Sequence, residues 1–258
     1  MAPSGRSPGV EPVLRTALST LLILIVWQVA AWAVAGPTLP GPVLVGGVLL
    51  REAAAGQLWL HLGITLARVA AAFILALSIG TAIGIAMGRS SLLDNVMGPW
   101  LTLALNVPAL VVIVLAYLWF GLTEAAAIGA VAVNKIPNVV VQVRAGARAL
   151  DPALARMAKA YRFSRWDRLR HLLLPHLQPY LFAAARNGLS LVWKIVLVVE
   201  LLGRGNGVGF KIHLAFQLFD VASLLAYALA FVIVAQMIEM AVMAPLERRA
   251  CRWRGDHG

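Results

Sequence analysis

The sequence predicts an all-α membrane protein with six transmembrane helices, both termini cytoplasmic, and a long basic cytoplasmic segment between helices four and five. Three observations carry that expectation. The residues are 61% hydrophobic, the mean hydropathy is +0.84 and only 13% are charged, where a soluble domain is about one quarter charged. Apolar runs approach or reach the about 20 residues that cross a bilayer as a helix, and there are six of them. Lysine and arginine gather in the loops on one side, as cytoplasmic loops do.

The first run, 16–35, follows Arg6 and Arg15 and ends in Ala33-Val34-Ala35, which resembles a signal-peptidase site. The apolar core of a signal peptide is about 7–15 residues, so this longer run reads as a retained first helix. Residues 1–15 read as a disordered cytoplasmic N-terminus and 16–246 as a single six-helix domain. The second run, 62–88, carries Gly80, Gly84 and Gly88, a spacing that lets another helix approach closely. The third, 96–120, contains Pro108 and the fourth, 123–143, contains Pro137, so a kink or break is expected in each. The fifth and sixth are 181–202 and 221–246, and 247–258 is a basic tail.

Orientation follows from charge. Arg144, Arg148, Arg156, Lys159, Arg162, Arg165, Arg168 and Arg170 crowd the segment 144–180 against Asp151 and Asp167, and four more arginines follow run six. The opposite loops are nearly neutral: Arg51 with Glu52, Glu124, then Arg204 and Lys211 with Asp220. The net charge of +11 is thus topological, and no basic segment has the interleaved aromatics or fold signals of a nucleic-acid binder. The single cysteine, Cys251, makes no internal disulfide, and no Cys/His cluster suggests a metal. No HExxH, GxSxG or Walker A spacing is present. The run Gly203-Arg204-Gly205-Asn206-Gly207-Val208-Gly209 lacks a GK[ST] ending and reads as a flexible outer loop. Energised work therefore needs ATP bound by another chain.

Ionisable and polar groups at membrane depth are functional candidates. Lys135 and Lys194 would suit an anionic solute if both faced one pathway, or would pair or snorkel instead. Glu239 sits in span six and Glu200 near the outer end of span five, and Asn106 and Asn134 either line a path or bond across helices.

The basic segment resembles the cytoplasmic coupling segment of binding-protein-dependent ABC importer permeases. That pattern is EAA, three residues, Gly, nine residues, Ile, one residue, Leu-Pro. Anchored on Leu174-Pro175, its Ile position falls on Leu172, its Gly position on Arg162 and its EAA positions on Arg156, Met157 and Ala158. Asn106-Val107-Pro108, Leu118-Trp119-Phe120-Gly121 and Glu124 resemble the NVP, LWFG and E signature of the nitrate/sulfonate/taurine branch. Leu39-Pro40-Gly41-Pro42, the segment Gly56 to Leu62, Trp193 with Glu200, Asn206 to Phe210, and Leu246 to Arg249 resemble further pieces in the same order.

The resemblance implies a permease that forms a translocation pathway with a second copy. It implies two cytoplasmic ATPase subunits that hold the ATP and Mg, and an extracytoplasmic binding protein that delivers a small solute of the nitrate, sulfonate or taurine kind, a thiamine-precursor pyrimidine or an aromatic acid; Lys135 and Lys194 tilt the expectation toward an anion. No cofactor is expected in this chain. The ATPase contact would be made by Asp151, Arg156, Met157, Ala158, Lys159, Arg162, Ser164, Leu172, Leu174 and Pro175. The pathway would draw on Asn106, Pro108, Asn134, Lys135, Trp193, Lys194 and Glu200. The Gly position lies at a turn between two short helices, where a left-handed backbone would cost Arg162 about 1–2 kcal/mol. The competing readings are a stand-alone secondary transporter or channel and a membrane-embedded enzyme. The first lacks an internal repeat, and the second lacks a convergent catalytic set.

Overall fold

The computed structural model describes residues 10–34 and 36–243, and all regular structure among them is helical. Five helices are long and apolar enough to cross a membrane, or six if one bent pair counts as a single span. The first helix, α1 (Val10–Val34), starts inside the stretch expected to be disordered. The basic tail and Cys251 lie outside the described residues.

The expected loop 36–61 instead holds α2 (Pro42–Ala54). Pro42 sits in the first turn after an extended Gly41, where the missing N–H and fixed φ of proline cost nothing. At 13 residues α2 is too short to span.

α3 (Gln57–Arg89) is followed by α4 (Ser91–Asn106) and α5 (Ala109–Phe120), which bend by 95° at the break between them. This is the break expected at Pro108. Pro108 has no N–H to continue the ladder and holds Val107 extended, at φ −70°, ψ 124°. Asn106 Nδ2 donates to the Thr102 carbonyl at 2.7 Å and so satisfies a group near the end of α4.

α6 (Glu124–Arg148) carries no such break. Pro137 is buried inside it and the helix runs through, so of the kink or break expected there a break does not occur. α6 packs closely on α3 along its length: a Cβ added at Gly80, Gly84 or Gly88 would stand 2.7, 2.8 or 2.6 Å from the Cβ of Val139, Val143 or Ala147.

Next come α7 (Pro152–Ala160), α8 (Arg165–Asp167), a π-helical turn Arg168–Leu173 and α9 (Leu174–Gly203). The chain ends in α10 (Val208–Gln217), α11 (Val221–Ile238) and a π-helical turn Glu239–Met243.

The chain divides into two compact units. In the first, residues 1–59 and 212–230, Val45, Val48 and Ala226 form a core flanked by Trp27, Leu49, Ala222 and Leu225. The indole of Trp27 donates to the Pro40 carbonyl at 3.0 Å, and the Tyr227 hydroxyl donates to Glu52 at 2.6 Å. In the second, residues 60–211 and 231–258, α6 packs most extensively on α9. Its core joins Val139, Val143, Ala147 and Leu150 to Leu173, Leu177 and Ala184.

Candidate functional site

The segment after α6 is built as a short helix, a left-handed turn and a capped second helix. Asp151 accepts from the Ala153 N–H at 2.7 Å, at the start of α7. The far end closes with the Phe163 N–H donating to the Ala158 carbonyl at 2.9 Å, across an Arg162 with φ 50°. That bond and that φ are the signature of a Schellman cap, whose left-handed residue is usually glycine. Arg162 thus takes the strained turn that its position implies.

Ser164 then caps α8. Its Oγ accepts from the Asp167 N–H at 3.1 Å, and Asp167 Oδ2 accepts from the Ser164 N–H at 3.2 Å and its hydroxyl at 2.6 Å. This is a reciprocal capping box. The Ser164 hydroxyl bond is the main reason the Asp167 carboxyl lies below its usual range.

The two edges of the segment differ. Ala158 is fully buried, and Leu169, Leu172 and Leu173 pack on the α6–α9 core with Leu177. Leu154, Met157, Tyr161 and Trp166 are exposed, as are Arg156, Arg162 and Arg170. Leu174 and Pro175 are exposed at the head of α9, and Lys159 lies in α7. Asp94, at the start of α4, accepts from Arg144 at 3.1 Å and also pairs with Arg148, which ties down the residues leading into the segment. The segment is therefore anchored on one side and free on the other.

A second polar assembly lies within the long apolar helices. Arg68 of α3 clasps Glu124 of α6, with Nε to Oε2 at 2.8 Å and Nη2 to Oε1 at 2.6 Å. Its Nη1 donates to Glu200 of α9 at 2.7 Å and to the Asn206 carbonyl at 2.9 Å, and Nη2 also reaches Asn206 Oδ1. Glu200 is fully buried; it accepts from Thr65 at 2.9 Å and from the Gly209 N–H at 2.8 Å. The Val208 N–H donates to Thr65 Oγ1 at 2.8 Å, and the Gly207 N–H donates to His61 Nδ1 at 3.0 Å. Arg204 adds a second cation on Glu124. Two arginines thus face two glutamates, the balance that buried charges need.

The glycine-rich run is consequently not a flexible loop. Gly207, Val208 and Gly209 are buried, Gly207 has φ 102°, and a Cβ on it would strike the Glu200 carboxylate. These glycines are required by a left-handed backbone and a close approach. The run does meet an anion, but the anion is the chain's own Glu200.

The other candidates do not converge. Lys135 is 2% exposed and stands beside Gly188 of α9, where a Cβ would lie 3.3 Å from its Cε. Among the described residues no hydrogen bond or ion pair reaches it. Lys194 is exposed, and it lies six residues beyond Gly188 on α9, about 240° round the helix. Trp193 is buried against Phe231, with ring centroids 5.6 Å apart. Asn134 is half-buried, Asn106 and Pro108 are exposed at the α4–α5 break, and Glu239 pairs with Arg186 at 3.3 Å.

Arg68 and Thr65 are not among the residues the sequence singles out, and His61 enters there only as part of the segment Gly56 to Leu62. Arg68 carried a usable signal: it is an arginine inside an apolar run, the same criterion that selected Lys135.

Residues 78–249 match the family model described as binding-protein-dependent transport system inner membrane component. A permease protein, SsuC, assigned to aliphatic sulfonate transport in Bacillus subtilis (strain 168) is 30% identical over 79% of this chain and 73% of its own. The taurine transport system permease protein TauC of Escherichia coli (strain K12) is 29% identical over 77% and 72%. The nitrate import permease protein NrtB of Leptolyngbya laminosa is 27% identical over 63% and 58%. Among solved structures, the inward-facing methionine ABC transporter MetNI superposes with a TM-score of 0.63 at 18% identity, covering 73% of this chain and 93% of that one. An amino acid ABC transporter with histidines gives 0.62 at 18%, covering 78% and 97%. At that identity the two structures speak to the fold alone.

Proposed function

The chain belongs to the family of inner-membrane components of binding-protein-dependent transport systems, and from that premise we propose how it works. It is a multi-pass permease of the cytoplasmic membrane, a transport component of an ABC importer. Two copies enclose the pathway, and both termini and the segment 144–180 face the cytoplasm, where the basic residues concentrate. Each copy docks one ATPase subunit through Asp151–Pro175, and that subunit holds ATP and Mg. A solute-binding protein delivers the cargo from the opposite side.

The observation that carries this reading is the segment 151–175 itself. Its inner edge is bolted to α6 and α9 by Leu169, Leu172 and Leu173, while Leu154, Met157, Tyr161 and Trp166 on its outer edge are exposed. A segment held this way transmits movement from a bound partner to the spanning helices as a rigid body, a two-state switch biased by ligands at either end. The cargo class is a small anion with a sulfonate-, taurine- or nitrate-like group. Relatives named for those solutes support it, as does Lys135, buried with no partner among the described residues.

The test is a pull-down of the tagged chain in mild detergent with mass spectrometry of its companions. An ATPase and a solute-binding protein are expected. Reconstituted with both, the chain should accumulate labelled taurine, an alkanesulfonate or nitrate only when ATP is hydrolysed. Recovery of the chain alone, with solute movement independent of ATP, would sink the proposal.

A further inference from the structure

Among the described residues, two other than glycine hold a positive φ, Arg162 and Phe219. At Arg162 the left-handed backbone burdens a side chain that glycine would spare. The side chain is exposed, and among the described residues no hydrogen bond or ion pair reaches it. Arg156 and Arg170 are also exposed, with no partner among the described residues. The segment's two carboxylates are already engaged, Asp151 by the Ala153 N–H and Asp167 by Ser164. A strained residue whose side chain does no work in its own fold points to work elsewhere.

The shape of the surface narrows that work. Leu154 and Met157 share one face of α7, and Tyr161, just past its end with its N–H still donating to the Met157 carbonyl at 2.9 Å, continues the i, i+3, i+7 spacing. Trp166 continues the apolar patch beyond the turn. Arg156 precedes Met157 by one residue and so lies about 100° round the helix, at the side of the patch. Arg162 sits at its end. The surface is an apolar stripe with unneutralised cations along its margin.

Resting on the reading of this segment as the ATPase contact, we infer that the partner ATPase subunit receives it in a groove with an apolar floor and carboxylates on the rim, placed to meet Arg156 and Arg162. Electrostatic complementarity of this kind fixes register and partner choice. An anionic lipid surface would also attract these arginines. It accepts a cation anywhere along a helix, however, and gives no reason to hold one at a strained turn. A protein groove with a fixed carboxylate does.

The experiment measures retention of the ATPase that co-purifies with the wild-type chain, using full-length permease in nanodiscs with and without phosphatidylglycerol. R156E/R162E should weaken retention about tenfold or more, while R156K/R162K stays within a few-fold of wild type. Lysine or arginine substitutions at rim carboxylates of the ATPase should recover the charge-reversed permease. R156Q/R162G, which relieves the turn, guards against misfolding: monodisperse on gel filtration, it should still lose affinity and the salt dependence of binding. Unchanged retention by both variants overturns the inference. So does a loss confined to discs with anionic lipid, which would place the rim against the membrane. If the wild-type chain itself retains no ATPase, the underlying reading of the segment falls instead.

Discussion

Arg68 donates through Nη1 to Oε1 of Glu200 at 2.7 Å, an ion pair whose side chains are 4% and 0% exposed. Breaking a buried pair from one side leaves an uncompensated charge, which costs about 3–5 kcal/mol. Arg68→Met should therefore lower the melting temperature in detergent by on the order of 10 °C. Arg68→Lys should rescue little, because an ammonium cannot reproduce the bidentate clasp on Glu124. Glu124, whose side chain is 49% exposed, should tolerate Gln far better than Glu200 does. Thermal unfolding of Arg68→Met that matches wild type would show that the assembly carries no structural weight.

The contact between Gly84 and Val143 makes a second, geometric prediction. A Cβ at Gly84 would stand 2.8 Å from Val143 Cβ and 3.0 Å from the Val140 carbonyl oxygen. The backbone oxygen cannot give way, so α3 must move off α6. Gly84→Ala should destabilise by about 1–3 kcal/mol and Gly84→Leu by more. Gly63 lies on the same helix with nothing within 4 Å of its would-be Cβ. Gly63→Ala should be close to neutral. Equal melting temperatures for the Ala variants at 84 and 63 would refute the close-packing account.

The spans, the glycine seam and the break at Pro108 were legible because each follows from one local rule. Length and hydropathy give the spans, small residues at spacing four give the seam, and a missing N–H gives the break. Pro137 shows where such a rule ends, since α6 runs through it while packed closely on α3. α2 was hidden by its length, although Pro42 after Gly41 is a helix-start signal. The Arg68 assembly was hidden because its members lie as far apart as residues 61 and 209. Nothing local marks Glu124 and Glu200 as partners of one arginine. Glycines in 203–209 spoke for mobility only while their close approach to Glu200 was unseen.

At the Schellman turn, Arg162→Gly should stabilise the isolated permease by about 1 kcal/mol, because glycine adopts φ near 50° without the Cβ penalty. Arg162→Val should lose about as much, since a β-branched residue fits that backbone worse still. Urea or thermal unfolding of the permease without partners reads both. A less stable Arg162→Gly would mean that the side chain does contribute within the fold.

Lys135 is buried beside Gly188 with no partner among the described residues, a costly arrangement unless a ligand anion offsets it. Under the proposed function, Lys135→Met should cut uptake of an anionic solute at least tenfold while leaving assembly with the ATPase intact. Lys194→Met should have little effect, because Lys194 is exposed on another face of α9. Normal uptake by Lys135→Met would remove the residue from the pathway.

Asp220 supplies a prediction about pH. Its Oδ1 accepts from the Ser223 N–H at 3.0 Å and its Oδ2 from the Ser223 hydroxyl at 2.6 Å, at the start of α11. Those bonds, the hydroxyl first, hold its carboxyl below the usual carboxylate range. A carboxyl depressed in the folded state contributes stability above its unfolded pKa of about 3.9 and loses it as pH falls through the folded value. Stability attributable to Asp220 should thus be flat from about pH 7 to 5 and decline only below about pH 4. Asp220→Ala removes the cap at every pH and should cost about 1 kcal/mol. Asp220→Asn keeps an acceptor oxygen, so it should recover most of that loss at neutral pH and show no acid dependence at this site. Unfolding midpoints of the three proteins at about pH 7 and pH 3.5 decide it. A wild-type advantage over Asp220→Ala that persisted unchanged at the lower pH would exclude the carboxylate as the capping species.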